Sequence, residues 1–298
     1  FFKINSMSHK AGFVSLVGKP NAGKSTLMNA LVGEKMSIVT SKAQTTRHRI
    51  LGIVNEPDLQ IIFSDTPGVI KPHYGLQESM MSVVNGSVVD ADLILFVTDI
   101  NERYDENDVL ERLQKTKSPV AVIINKIDKS DEEKVMAKIE HWKELLNPEA
   151  IFAVSALHDH NIPAVLQFIH DKLPEHPPYY DKDTLTDRTE RFFVSEIIRE
   201  KIFKLYDKEI PYSTEVLITA FKEEGKLTRI SAEVVVERDS QKNIIIGKGG
   251  EMIKKVGTYA RQDIEVFLNK KVFLEIFVKV IADWRNRKNY LKSFGYEN

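Results

Sequence analysis

The sequence predicts an α/β domain with a largely parallel sheet, followed by a smaller α+β domain. Three observations carry this expectation. Through the first 172 residues, short apolar runs ending in a polar residue or glycine alternate with longer amphipathic stretches, which is the pattern of βαβ units. A proline-rich polar stretch, "LPEHPPYYDKDTLTD" at 173–187, then disfavours both helix and sheet. After it the order of elements changes to αββααβ, which does not continue the first sheet. The expected divisions are an extension at 1–11, a first domain at 12–172, a linker at 173–189, and a second domain with a basic tail at 190–298.

Taken in order, "GFVSLVG", "LQIIFSD", "LILFVTD", "VAVIIN" and "AIFAVSA" read as buried strands. Between the last two, "SDEEKVMAKIEHWKELL" has an acidic first turn and helical spacing. The acidic clusters at 105–111 and 131–133 accordingly read as helix starts rather than metal sites. Beyond the linker, "ERFFVSEIIREKIFKLYD" is helical, and "STEVLITAFKEE" and "LTRISAEVVVERD" are strands around a turn. A glycine-punctuated helix pair follows, and "KKVFLEIFVKVI" is the last strand. There is no internal repeat, and residues before Met7 are set aside from the fold.

At 298 residues and 42% hydrophobic content, the chain is long enough for a packed core in each domain. It has no cysteine, which excludes disulfides, thiolate zinc sites and cysteine nucleophiles and fits a reducing compartment, so the cytoplasm is expected. No run of about 18 apolar residues suggests a membrane span. The net charge of −1 conceals an asymmetry: residues 191–298 carry 21 Lys and Arg against 16 Asp and Glu, and the remainder 21 against 27. The net +5 of residues 191–298 points to a polyanionic partner.

In an α/β sheet of this kind, functional loops lie beyond the carboxyl ends of the strands. "GKPNAGKS", Gly18 to Ser25, matches G-x-x-x-x-G-K-[S/T] between a strand and a helix. Gly18, Lys19, Pro20, Asn21, Ala22 and Gly23 turn backbone N–H groups toward phosphates. Lys24 brings a cation to the β- and γ-phosphates, Ser25 offers its hydroxyl to Mg2+, and Thr26 follows. In "FSDTPG", Asp65 is placed to hold the metal, with Thr66 and Pro67 leading to Gly68, whose N–H can sense a γ-phosphate; Val69 comes next. "NKID" follows another strand: Asn125 braces the loop, the Lys126 stem covers a ring face, and Ile127 precedes Asp128. The Asp128 carboxylate can accept from both N1–H and N2–H2 of guanine, a pairing adenine does not offer. In "SAL", Ser155, Ala156 and Leu157, the Ala156 N–H is placed for the guanine O6.

These four elements, in this order, resemble the translation-factor class of P-loop GTPases over about residues 12–172. The resemblance implies binding of GTP and GDP with Mg2+, and makes "SKAQTTRHR" the first switch. Thr46 would join Ser25 and Asp65 at the metal, with Thr45 as the adjacent alternative. Lys24, Thr46 and Gly68 would then serve hydrolysis. Val69 stands where related enzymes carry a water-orienting glutamine, so intrinsic hydrolysis should be slow. Relatives with an apolar residue there often hold K+ through a phosphate-loop asparagine, which Asn21 matches; otherwise Asn21 only shapes the loop.

"IIIGKGGEMIKK", 244–255, contains G-x-x-G but no serine or threonine for a metal. Such a turn between helices suits the backbone of single-stranded RNA, with bases in an adjacent groove, as in KH modules. Ile246, Gly247, Lys248, Gly249 and Gly250 would form the grip, and Lys254 and Lys255 would add charge. Ile244 and Ile245 would help anchor the helix. With "AQTTRHR" and "IIIGKGGEMIKKVGTYAR" in one chain, the whole resembles the Era family of bacterial GTPases with a type II KH domain. That resemblance implies binding to the 3′ end of 16S rRNA, action on the 30S ribosomal subunit, a monomeric state, and peripheral contact with the cytoplasmic face of the inner membrane. The tail "ADWRNRKNYLKSFGY" reads equally as an RNA contact or a packing helix. A GTP-binding RNA scaffold without useful turnover is the alternative, and Val69 favours it. "NKID" argues against an ATPase or nucleotide kinase, and isolated histidines such as His73 and His141 read as surface.

Overall fold

The computed structural model describes residues 9–102 and 107–296, without the side chains of 107–109 and 112. The extension before His9 and part of the acidic cluster at 105–111 therefore lie outside the described residues. The chain divides into two compact units: the first comprises 1–37, 46–71 and 80–187, and the second comprises 38–45, 72–79 and 188–298.

In the first unit, the elements run β1 (Lys10–Val17), α1 (Lys24–Val32), β2 (Ile50–Glu56), β3 (Leu59–Asp65), α2 (Gly75–Val89, its first turn counted with the second unit), β4 (Leu93–Asp99), α3 (Asn107–Lys115), β5 (Val120–Asn125), α4 (Glu132–Leu146), β6 (Ala150–Ala153) and α5 (Ile162–Lys172). The sheet order is β2-β3-β1-β4-β5-β6, parallel except for β2 against β3. β3 is buried along its whole length, polar residues included, and β4 up to Thr98, because both faces are covered. Trp142 of α4 is fully buried and meets Phe96 of β4 edge-on at 5.3 Å. Asp131 caps α4 by accepting from the Lys134 N–H at 2.8 Å, so the acidic cluster at 131–133 does begin a helix.

Two features of this unit were not legible beforehand. β2 is an additional strand, formed because the short turn at 57–58 lets "ILGIVNE" fold back antiparallel on β3. The proline-rich stretch is also tied down along this edge. Gln60 accepts from the N–H of Tyr179 and Tyr180, the Ile53 N–H donates to the Leu185 carbonyl at 2.8 Å, and Asn55 donates to the Thr184 carbonyl. Backbone groups that neither helix nor strand would satisfy are thus paired by side chains and by the open edge of β2.

The second unit contains α6 (Glu190–Leu205), β7 (Glu215–Glu224), β8 (Leu227–Val236), α7 (Asp239–Ile246), α8 (Glu251–Leu268), β9 (Lys271–Val280) and α9 (Lys288–Ser293). The αββααβ order is as expected, with a three-stranded sheet β7-β8-β9 in which β8 and β9 are parallel. Val194, Ile198 and Ile202 of α6 pack with Ile245 of α7, Val256, Ala260 and Ile264 of α8, and Ile230, Ala232 and Val234 of β8. The tail is a packing element: Trp284 and Leu291 are buried, the Trp284 indole donates to the Ser213 carbonyl at 3.1 Å, and Tyr296 donates to Glu215.

Candidate nucleotide site and nucleic-acid interface

The loop 18–23 leaves the carboxyl end of the central strand β1 and enters α1, so the N-terminus of α1 faces the loop. The Lys24 ammonium lies inside it, donating to the carbonyls of Gly18 at 3.0 Å and Lys19 at 2.8 Å. Burial pushes its pKa down to about 8, against the opposing pull of Asp65 and Glu102. Asn21 is exposed in a left-handed conformation, and its carbonyl accepts from Lys126, which also pairs with Asp99 at 2.8 Å.

Ser25 donates to the Asp65 carboxylate at 2.7 Å and stands 2.8 Å from the Thr46 hydroxyl. With its single proton given to Asp65, Ser25 accepts from Thr46. Thr45 instead turns its hydroxyl to Thr40 at 2.6 Å and to the Lys42 carbonyl at 2.7 Å. Burial raises the Asp65 pKa, against the bond from Ser25, and its Oδ1 is buried without a hydrogen-bond partner. Two hydroxyls beside a carboxylate oxygen with a free lone pair suit a hard cation such as Mg2+. Gly68 is pressed onto the phosphate loop: a Cβ there would lie 2.6 Å from the Pro20 nitrogen, so only glycine fits. The Val69 N–H donates to the Gly18 carbonyl at 3.0 Å, and its side chain packs on the core.

Asn125 ties three loops together. Its amide donates to the Ala22 carbonyl at 3.0 Å, and its oxygen accepts from the N–H groups of Lys126 at 2.8 Å and Ala156 at 3.0 Å. Ala156 thus gives its N–H to Asn125 here, so any bond to a guanine O6 must be shared with or exchanged for this one. Asp128 accepts from the Ser155 hydroxyl at 2.6 Å, which holds its carboxylate below the usual range and therefore ionised. Three further expected residues have other surroundings. Thr66 donates to the Leu16 carbonyl within the sheet, Ile127 packs on the core, and Leu157 is 71% exposed. Thr26 is half-buried on α1.

Other participants carried no recognisable motif. Asn29 of α1 latches the segment that leads to the expected first switch, accepting from the N–H groups of Met36 and Ser37 and donating to the Ser37 carbonyl, each at 2.9 Å. Glu102 lies 3.8 Å from Lys19, with its pKa raised by burial. A polar side chain that bonds to backbone leaves no spacing signal, so neither was legible.

In the second unit, α7 ends at Gly247, and Gly249 and Gly250 adopt φ of 60° and 82° before α8 begins. Left-handed backbone at successive positions is why the turn uses glycine. Lys248, Lys254 and Lys255 are exposed, Ile246 is half-buried, and Ile245 is buried in the core. Beside the loop, a groove of about 290 Å3 runs between α8 and β9, lined by Ile253, Lys254, Gly257, Arg261, Leu274 and Ile276. Lys254 is the one expected residue on its wall, and Lys255 does not line it. Among the described residues, no His, Cys, Asp and Glu cluster has metal-binding geometry, and His73 and His141 are exposed.

Family models for a 50S ribosome-binding GTPase and for a KH domain match residues 13–126 and 209–285. The fold and both loops therefore define a P-loop GTPase carrying a KH domain. The chain is 44% identical over 291 residues to GTPase Era of Staphylococcus haemolyticus, covering 97% of each, and 44% identical to GTPase Era of Clostridium kluyveri, covering 97% of this chain and 99% of the relative. Crystal structures of a single-residue variant of Aquifex aeolicus Era bound to GDP·AlF4−, and of Era with MgGDPNP and nucleotides 1506–1542 of 16S rRNA, each superpose with a TM-score of 0.92. Their identities are 40% and 41%, and the match covers 97% of this chain and all of each structure. The chain belongs to the Era family of GTPases.

Proposed function

We propose that this GTPase is a guanine-nucleotide switch that binds the 3′ end of 16S rRNA through its KH unit and acts in maturation of the 30S subunit. The observation that carries the switch is the convergence of Ser25, Asp65 and Thr46, which come from the phosphate loop, the D-x-x-G strand and the first switch segment. The RNA assignment is supported by the G-x-x-G loop beside the groove on α8, and by the relative solved with nucleotides 1506–1542 of 16S rRNA.

In this mechanism the backbone of 18–23 and the Lys24 ammonium bind the phosphates and neutralise charge that grows during transfer. Ser25, Thr46 and Asp65 would hold Mg2+, which supplies further positive charge to the β- and γ-phosphate oxygens. Gly68 is pressed onto the phosphate loop, so that its N–H would register the γ-phosphate. Val69 offers the attacking water no side-chain hydrogen bond, so intrinsic turnover is slow. Asn21 is exposed within the phosphate loop and would hold K+ to compensate. Asp128, kept ionised by Ser155, selects guanine, and Asn125 keeps the base loops in register with the phosphate loop.

Lys248, Lys254 and Lys255 meet the RNA backbone, and bases enter the groove. GTP orders the first switch and the loop after Asp65, hydrolysis releases them, and RNA affinity changes with the nucleotide. The protein acts as a cytoplasmic monomer, with peripheral contact at the inner membrane supported by the family resemblance. No helix among the described residues is long and apolar enough to cross a membrane. The test is binding of a labelled RNA spanning the 3′ end of 16S rRNA, with the GTP analogue GDPNP or with GDP. Lys248→Glu should weaken binding while phosphate release from GTP persists. Equal binding by both proteins would refute the RNA assignment, and equal binding in both nucleotide states would refute the switch.

A further inference from the structure

Segment 38–45 belongs to the second unit, where α6 holds it at two points. The Lys42 ammonium caps the C-terminal end of α6, donating to the carbonyls of Phe203 at 2.6 Å and Tyr206 and pairing with Asp207 at 2.9 Å. Carbonyls without intrahelical partners and the negative end of the helix dipole make this a favourable place for a cation. One turn earlier, the fully buried Arg199 guanidinium donates to the Thr45 carbonyl at 2.5 Å. It is itself fixed by two bonds to Glu196, at 2.7 and 2.5 Å, and lies over the Phe203 ring at 5.2 Å. A planar guanidinium held by a bidentate carboxylate and a ring face has little freedom to move.

We propose that Arg199 is a positioning residue for GTP hydrolysis: it fixes the Thr45 carbonyl and thereby the direction in which the Thr46 hydroxyl leaves the chain. Thr45 and Thr46 share one peptide plane, so a carbonyl anchored at 45 restricts the backbone angles that aim Thr46. The Thr45 hydroxyl is separately held by Thr40 and the Lys42 carbonyl, which keeps the wrong threonine turned away. The inference rests on the proposed role of Thr46 at the cation. It assigns to a helix outside the nucleotide motifs a part of the accuracy of the hydrolytic site.

The test uses the full chain with two variants. Arg199→Lys keeps the charge and loses the planar fork. The pair Glu196→Leu with Arg199→Leu removes both charges, so Glu196 is not left buried without its guanidinium. Thermal melting verifies that each is folded. Expected are unchanged GDP affinity, a rise of several-fold in the Mg2+ concentration needed to bind GDPNP, and a kcat about 10- to 100-fold lower. Thr46→Ala should shift the same Mg2+ dependence. Folded variants with wild-type kcat and Mg2+ dependence would overturn the inference, as would an equal loss of GDP affinity, which marks a general structural role. If Thr46→Ala itself leaves the Mg2+ dependence unchanged, the assignment of Thr46 falls; if only the Arg199 variants are silent, Arg199 alone falls.

Discussion

At Asp128 the neighbour decides the chemistry, since the Ser155 hydroxyl keeps the carboxylate ionised and oriented. Asp128→Asn replaces one acceptor oxygen with a donor. GTP affinity should drop by about 100-fold or more while xanthosine triphosphate gains, measured by competition binding. Lys24 predicts a pH dependence. Its folded pKa is about 8 against an ordinary 10.5, so between those values the unfolded chain holds a proton that the folded, nucleotide-free chain has released. Stability of the nucleotide-free protein from this group therefore rises across pH 8–10.5. Phosphates restore the proton, so GDP affinity should fall above about pH 8, with proton uptake visible by calorimetry in buffers of different ionisation enthalpy. At Asn21, hydrolysis should be faster in KCl than in NaCl, and Asn21→Ala should abolish the difference.

Helix α8 does two jobs, because its N-terminus closes the G-x-x-G turn and one flank forms the groove wall. Gly257 lies mid-helix, where glycine costs about 1 kcal/mol relative to alanine. A Cβ there would meet only Ile276 Cδ1, at 3.7 Å, so fold alone does not require glycine. The absent side chain keeps the groove open. Gly257→Leu should retain or raise the melting temperature and lower RNA affinity at least about tenfold, with GDP binding unchanged; the checks are calorimetry and fluorescence anisotropy. Helix α6 was legible as a helix from its spacing. That it would bury Glu196, Arg199, Glu200 and Lys201 was not, because the sequence places charged residues where an exposed face is the ordinary expectation.

Across the whole molecule, nucleotide binds only the folded site, so it stabilises by mass action. At about 100 times Kd, GDPNP with Mg2+ should contribute about 2.7 kcal/mol to the first unit and raise its melting temperature in differential scanning calorimetry. An unshifted transition at saturating nucleotide would contradict the assigned site.

What the sequence by itself determined was the chemistry carried by contiguous residues. "GKPNAGKS", "DTPG", "NKID" and "GKGG" are each a short loop whose backbone path follows from its own glycines and flanking elements, so the GTPase and KH domains they mark were legible without coordinates. The alternation of apolar runs also determined the parallel core and the αββααβ order. Only the tertiary structure decided what depends on residues far apart in the chain. It turned Thr46 rather than Thr45 toward Ser25, folded β2 back on β3, tied the proline-rich stretch to that edge, and counted 38–45 with the second unit. Long-range hydrogen bonds and burial set these outcomes, and neither leaves a local periodicity to read.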